Sequence, residues 1–261
     1  MAKTRSPVAA GSFYHASADR LRAEVDALLA SAPVWSGPAV HGIVVPHAGY
    51  LYSGAIAASA YACLAAGAEP ARIVIAGPSH FVPLRGLAVT GATAWRTPLG
   101  DVAIDEAGRE ALVAAGAVVD EAHHRSEHSL EVQLPFLQRC RAGVPALPIA
   151  VGQGSPVEAA RIIGAALEEG AVLVVSTDLS HYHDAATARR HDTRTAAAVE
   201  ALDTEAIGRA DACGADPLRA AMAWARAQRN RIELLDLRNS ADTAGQPSRV
   251  VGYGAFAIVA A

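Results

Sequence analysis

The sequence predicts an α/β fold: one domain over residues 1–261, with a central mixed or mostly parallel sheet flanked by helices. Three observations predict it. Short apolar runs alternate with longer helix-patterned stretches along the chain, the order of elements in an α/β domain. The runs ending in Ile43-Val44-Val45, Ile73-Val74-Ile75-Ala76 and Val172-Leu173-Val174-Val175 are apolar at successive residues, as parallel strands covered on both faces are. Each run then gives way to small or breaking residues and a histidine: His47, His80 and His181. Parallel strands bring such ends to one edge, where open α/β sheets bind ligands.

The elements follow in order. Residues 1–16, with Pro7, Gly11 and the pair Phe13-Tyr14, read as an irregular arm packed on the body. Ser17 caps a helix to about Ala30, its apolar face made by Leu21, Val25, Leu28 and Leu29. After the loop Ser31 to Pro38 comes the first marked strand, Val40 to Val45. Gly54 to Ala66 is an alanine-rich helix, small enough to approach a sheet closely, and Arg72 to Ala76 is the second strand. Between residues 81 and 104, Leu87–Thr90 and Val102–Ile104 flank Trp95, Pro98 and Gly100, which suggests a hairpin excursion. Asp105 starts a helix to about Ala115. The polar segment His123–Ser129 leads into a helical stretch Leu130–Gln138, with Pro135 at a turn or kink.

Ala146 to Val151 is another strand. Pro156 and Gly170 bracket a helix, proline first and glycine last. Strand Val172 to Ser176, a polar-faced helix over 185–202 and a helix from Pro217 to Ala227 follow. Ile232–Leu237 and Arg249–Val259 are late strands joined by the loop Asn239 to Ser248. The chain shows no internal repeat and no linker between two domains.

Composition narrows the function classes. A net charge of −4 gives no basic face for nucleic acid. The 52% hydrophobic fraction is inflated by alanine, and no apolar run reaches the length of a membrane span. No signal-like apolar stretch follows Met1. The three cysteines, Cys63, Cys140 and Cys213, are odd in number and far apart, which suits reduced thiols in a cytoplasmic protein.

The chemistry lies in the strand ends. His47, His80 and His181, with Asp178 three residues before His181, offer a 2-His-1-carboxylate or a 3-His set, which suits Fe(II), Zn(II) or Cu. The competing reading makes each histidine a hydrogen-bonded loop residue. Glu127-His128 is a second constellation, able to supply a general acid/base or to orient a metal-bound histidine; read structurally, it belongs to a helix cap. His123 and His124 read as surface residues, and Cys213 as a buried cysteine in a helix-entry turn, with a pocket thiol as the alternative. The loop Gly49–Gly54 lacks both G-x-x-x-x-G-K-[ST] and G-x-G-x-x-G, and no G-x-S-x-G elbow occurs.

Taken together and in order, several motifs closely resemble the Memo family, of the AmmeMemoRadiSam system protein B type. They are Pro46-His47-Ala48-Gly49-Tyr50 with Tyr52-Ser53-Gly54, then Gly77-Pro78-Ser79-His80, then Glu127-His128-Ser129-Leu130-Glu131 with Gln133-Leu134-Pro135-Phe136, then Ser176-Thr177-Asp178-Leu179-Ser180-His181-Tyr182. The late Cys213-Gly214, Asn239–Thr243 and Val251-Gly252-Tyr253-Gly254-Ala255 extend the resemblance over nearly the whole chain. That family is similar in fold to class III extradiol ring-cleaving dioxygenases, which are non-haem iron enzymes. The resemblance implies a metal-competent crevice with His47, His80, Asp178 and His181 as metal ligands and with Glu127, His128 and His181 as catalytic residues. In animal members a cysteine of the late loop joins the two leading histidines in binding iron or copper. Here that reading puts Asp242 or Thr243 in its place with no cysteine near, and it leaves a harder N/O ligand set. Fe(II) is then the leading cofactor, with Zn or Cu behind it.

The function implied is a metal-dependent oxidoreductase of unknown substrate. The alternatives are a non-catalytic metal- or peptide-binding protein and a zinc-type hydrolase. Bacterial and archaeal relatives are often encoded beside a radical-SAM protein and a third partner. The expected partners are accordingly a small-molecule or peptide ligand in the crevice and radical-SAM system proteins.

Overall fold

The computed structural model describes residues 3–168 and 170–261. Residues 1 and 2 of the expected arm and Glu169 of the expected helix over 156–170 lie outside the described residues. The elements run β1 (Thr4–Arg5), α1 (Ala18–Ser31), β2 (Val40–Val45), α2 (Tyr50–Ala66), β3 (Ile73–Pro78), β4 (Leu87–Val89), β5 (Ala94–Thr97), β6 (Gly100–Ala103), α3 (Glu106–Ala115) and β7 (Val118–Val119). They continue through α4 (Leu134–Cys140), β8 (Ala146–Val151), α5 (Pro156–Gly164), β9 (Val172–Ser176), β10 (His181–His183), α6 (Ala185–Glu200), α7 (Ala215–Ala227), β11 (Asn230–Asn239) and β12 (Val250–Ala260).

Nine strands form one mixed sheet in the order β10-β12-β2-β9-β3-β8-β4-β7, with β11 paired on β12. Its centre is parallel: β2 pairs β9, β9 pairs β3, and β3 pairs β8. The central strands are buried on both faces, so nearly every position must be apolar, and β3 and β9 are buried throughout. Each fully buried Ile or Val there contributes roughly 1.5–3 kcal/mol. The outer strands β12 and β4 join antiparallel. β2, β9 and β3 are immediate neighbours running the same way, so the three histidine-bearing ends meet on one edge, as the sequence predicts.

Three local expectations are corrected. Leu87–Thr90 and Val102–Ile104 do not pair with each other. β4 joins the main sheet beside β8, while β5 and β6 form a hairpin that takes β1 from the arm as a third strand. Trp95, on β5, is fully buried, and the Arg5 guanidinium lies 4.1 Å above its ring. The helix opened by Pro156 ends at Gly164, short of Gly170, because the chain turns back through Ala165–Leu167. Pro135 sits in the first turn of α4, directly after a 3-10 turn over Glu131–Gln133, where its missing N–H has no partner to lose, in keeping with the turn expected there. Helix α2 starts at Tyr50, four residues ahead of Gly54.

Candidate metal centre

The ring nitrogens of His47, His80 and His128 converge, with one ligand atom from each lying within 4.8 Å of the others. His47 follows β2 after Pro46 and His80 follows β3 after Ser79; His128 arrives from the loop before α4. His47 is buried, His128 half-buried and His80 the most open. The rings of His80 and His128 stack at 5.0 Å, and His47 meets both edge-on at 5.2 and 5.5 Å.

Hydrogen bonding behind the rings fixes which nitrogen faces inward. Ser176 Oγ donates its only proton to the Ser129 carbonyl at 2.7 Å and accepts from Gln133 Nε2 at 2.9 Å. His47 Nδ1, 3.0 Å from the same oxygen, is therefore the donor, and Nε2 keeps its lone pair for the site. His80 Nδ1 lies 2.9 Å from Glu127 Oε1, a carboxylate that only accepts, so Nδ1 is the donor and Nε2 is the nitrogen left over for a metal. His181 Nδ1 donates to the Leu179 carbonyl at 2.8 Å. His128 differs: Glu127 Oε1 stands 3.7 Å from its Nδ1, beyond hydrogen-bond distance, and Phe13 packs on its ring at 4.5 Å.

The charges match this geometry. Burial, and then the charge of His80, push His47 down to about 3. Burial and then His47 push His128 down to about 4. Both are neutral near pH 7. Burial acts to raise Glu127, but the hydrogen bonds and charge of His80 and the amide of Ser129 outweigh it and hold the group at about 2, ionised.

Asp178 is not among the converging atoms. Its Oδ1 accepts the backbone N–H of His47 at 2.7 Å, and burial raises its pKa against that bond. It fixes the turn that carries His47. His181 also lies outside the group of three, on the short strand β10, where a register shift and the left-handed Tyr182 (φ 67°) set its direction. A non-glycine residue in that region costs energy and persists where its surroundings enforce it.

The expectation that no cysteine stands near the site is overturned. Cys213 Sγ lies 3.3 Å from His47 Nε2. The loop is drawn in by Cys213 N donating to the Asp178 carbonyl at 3.3 Å and Gly214 N donating to Thr177 Oγ1 at 2.9 Å. A Cβ on Gly214 would fall 2.7 Å from Thr177 Cβ, so the approach needs glycine. Asp242, expected in the cysteine's place, is occupied elsewhere: it bonds Arg189 and accepts from the Asn239 backbone at 2.9 Å. Burial, and then Asp178, push the Cys213 thiol up to about 12.

Sequence reasoning missed Ser176, Gln133 and Glu131. All three stand inside the motifs that carry the family resemblance, but the sequence reading gave them no role at the site. His123 and His124, expected at the surface, are both buried, His124 completely, beneath the arm and against Trp95.

The family model described as Memo-like protein matches residues 5–257. The chain belongs to the Memo family. A MEMO1 family protein of Aeropyrum pernix is 35% identical over 280 aligned residues, covering 98% of this chain and all of the relative. One from Aquifex aeolicus is 36% identical, covering 96% of this chain and 97% of the relative, and one from Methanopyrus kandleri is 35% identical, covering 97% and 98%. The converging histidines thus belong to a Memo protein aligned over nearly its full length. No helix among its described residues is long and apolar enough to cross a membrane.

Proposed function

We propose that the protein holds one divalent metal between His47, His80 and Cys213 and uses it as an oxidoreductase related to non-haem iron dioxygenases. Two observations support this most: the ring nitrogens of His47 and His80 converge with their outer nitrogens already tied back, and Cys213 Sγ comes within 3.3 Å of His47 Nε2. Metal-binding histidines nearly always donate their other N–H to a carboxylate, carbonyl or similar group. His47 and His80 do so, through Ser176 and Glu127. His128 has no such anchor, so its part is to accept a proton from substrate at a ring nitrogen, being neutral near pH 7. Glu127 orients His80, and Asp178 holds the His47 turn.

Two imidazoles with a thiolate suit Fe, Zn or Cu; the cysteine removes the harder N/O set that favoured Fe(II), which stays the first ion to test. A bound metal there supplies Lewis acidity and redox capacity to substrate oxygens. The protein supplies position: His47 and His80 come just after neighbouring parallel strands, and the Cys213 loop is tied to Asp178 and Thr177 by two backbone N–H bonds.

The test is anaerobic Fe(II) titration with metal analysis of wild type and of a His47→Ala/His80→Ala variant. The reading expects one ion per chain in the wild type and none in the variant. Equal stoichiometry in the two proteins would refute it.

A further inference from the structure

Behind the converging histidines, one side chain bonds to the segments that carry two of them. Gln133 ends the turn Glu131–Gln133, between the loop of His128 and α4, and it is wholly buried. Its Nε2 donates to the Pro46 carbonyl at 3.1 Å and to Ser176 Oγ at 2.9 Å, with the Ser129 carbonyl at 3.4 Å. Its Oε1 accepts from Tyr61 Oη at 2.9 Å.

Each of these contacts bears on the centre. Pro46 is the residue before His47, and Ser176 Oγ is the group to which the His47 ring donates. Ser129 is the residue after His128. The turn also hangs on that histidine, since Val132 N donates to the His128 carbonyl at 3.0 Å. A single amide therefore backs the His47 chain, the partner of the His47 ring and the His128 chain. The His80 ring and amide are held instead by Glu127.

Chemistry leaves the amide one way to face. The Pro46 and Ser129 carbonyls can only accept, so the NH2 group has to point at them; reversed, the amide would set an oxygen against both. Tyr61 secures the other end. It is fully buried on α2, and its ring stacks on Phe136 of α4 at 4.7 Å and 3°. Burial holds the Tyr61 hydroxyl well above its ordinary value, so it keeps the proton it donates. A buried polar network satisfied in this way is rigid, and one left half-satisfied is costly. Without the amide, the Ser176 oxygen would be held from two directions instead of three, and the His47 N–H would lose a fixed acceptor.

We infer that Gln133 is a positioning residue that fixes His47 and His128 as one unit, their rings edge-on at 5.5 Å. It acts through Ser176 and the carbonyls of Pro46 and Ser129, and it bonds to neither ring. This inference rests on the metal reading for what the unit does: Gln133 sets a metal ligand against the proton acceptor. The bonds themselves do not require a metal.

The experiment is nitrogen–proton NMR of the imidazole rings in metal-free protein, followed by anaerobic Zn(II) titration. It uses wild type, Gln133→Met, which keeps the volume and removes the amide, and Tyr61→Phe, which removes only the hydroxyl behind it. Wild type shows protected Nδ1–H protons for both His47 and His80. Gln133→Met broadens the His47 proton, leaves the His80 proton in place and weakens Zn(II) binding about 10–100-fold, as for other partners of metal-bound histidines. Tyr61→Phe acts in the same direction with a loss below about tenfold, and it decides the matter if Gln133→Met does not fold. A His47 proton as sharp as in wild type would overturn the inference. So would equal broadening of the His47 and His80 protons, which marks general loosening. If wild type takes up no Zn(II), the metal reading fails, and the metal-free spectra still decide the role of Gln133. If Zn(II) binds equally well to wild type and to folded Gln133→Met, the role of Gln133 fails alone.

Discussion

Replacing Glu131 by glutamine tests how the arm holds the site. The Glu131 side chain is wholly buried. Its carboxylate accepts from Arg5 Nη1 at 2.6 Å, Tyr14 Oη at 2.6 Å, Ala9 N at 2.8 Å and Val8 N at 2.9 Å. Arg5 also donates to the carbonyls of His124 and Glu127, each at 2.7 Å. One side chain therefore fastens residues 5–14 to the segment that carries Glu127 and His128. Glutamine keeps one acceptor oxygen and turns the other into a donor facing donors. Breaking a buried pair and leaving its partner charged costs about 3–5 kcal/mol. Arg5 retains two carbonyl partners, which places the expected loss near 3 kcal/mol, or about 6–12 °C in Tm for a chain of this size. The assay is chemical denaturation alongside a thermal melt. Phe13 rides on the same arm against His128, so the His128 ring resonances should shift as well. The double change Arg5→Met/Glu131→Leu strands no charge but leaves Tyr14 Oη, Ala9 N and Val8 N without their acceptor, so it should cost at least as much as Glu131→Gln. A loss below about 1 kcal/mol for Glu131→Gln would refute the reasoning.

Three further outcomes follow from the same geometry. Glu127→Gln should lower metal affinity about 10–100-fold with the fold intact by circular dichroism, because Glu127 orients His80; unchanged affinity would remove that role. His124 is depressed to about 4, chiefly by burial, with Glu121 opposing. Its unfolded form takes up a proton near the ordinary 6.5, so its stabilising contribution is complete above that value and is lost as pH falls towards 4. Between pH 7 and pH 4.5 wild type should lose about 2–3 kcal/mol more than His124→Leu; parallel denaturation curves would contradict this. Gly252→Ala places a Cβ 2.0 Å from Asp192 Oδ2, beside the backbone pairing with Leu179 and Ser180 that leads to His181. It should cost about 1–3 kcal/mol, read from the denaturation midpoint, and an unchanged midpoint would show that α6 yields without cost.

The parallel centre was legible because a strand buried on both faces has to be apolar at successive residues, a local constraint that β2, β3 and β9 all carry. His47 and His80 were legible for the same reason, since they come just after those strands. The position of Cys213 was not, because it depends on two hydrogen bonds from a distant loop, to Asp178 and Thr177, which no spacing encodes. The strand ends alone could not show that Asp178 would turn to the His47 amide rather than to the converging nitrogens. The burial of His123 and His124 depends on an arm that arrives from more than a hundred residues away and lays Arg5 across Trp95. Leu87–Thr90 and Val102–Ile104 looked alike in pattern, and only pairing with β8 and β5 separates them.

The most direct test of the metal centre is anomalous diffraction on crystals loaded anaerobically with Fe(II), recorded above and below the iron edge. The account predicts one peak per chain, within about 2.0–2.4 Å of His47 Nε2, a His80 ring nitrogen and Cys213 Sγ. A peak seated on other side chains, or none in crystals whose metal content equals one ion per chain, would contradict it.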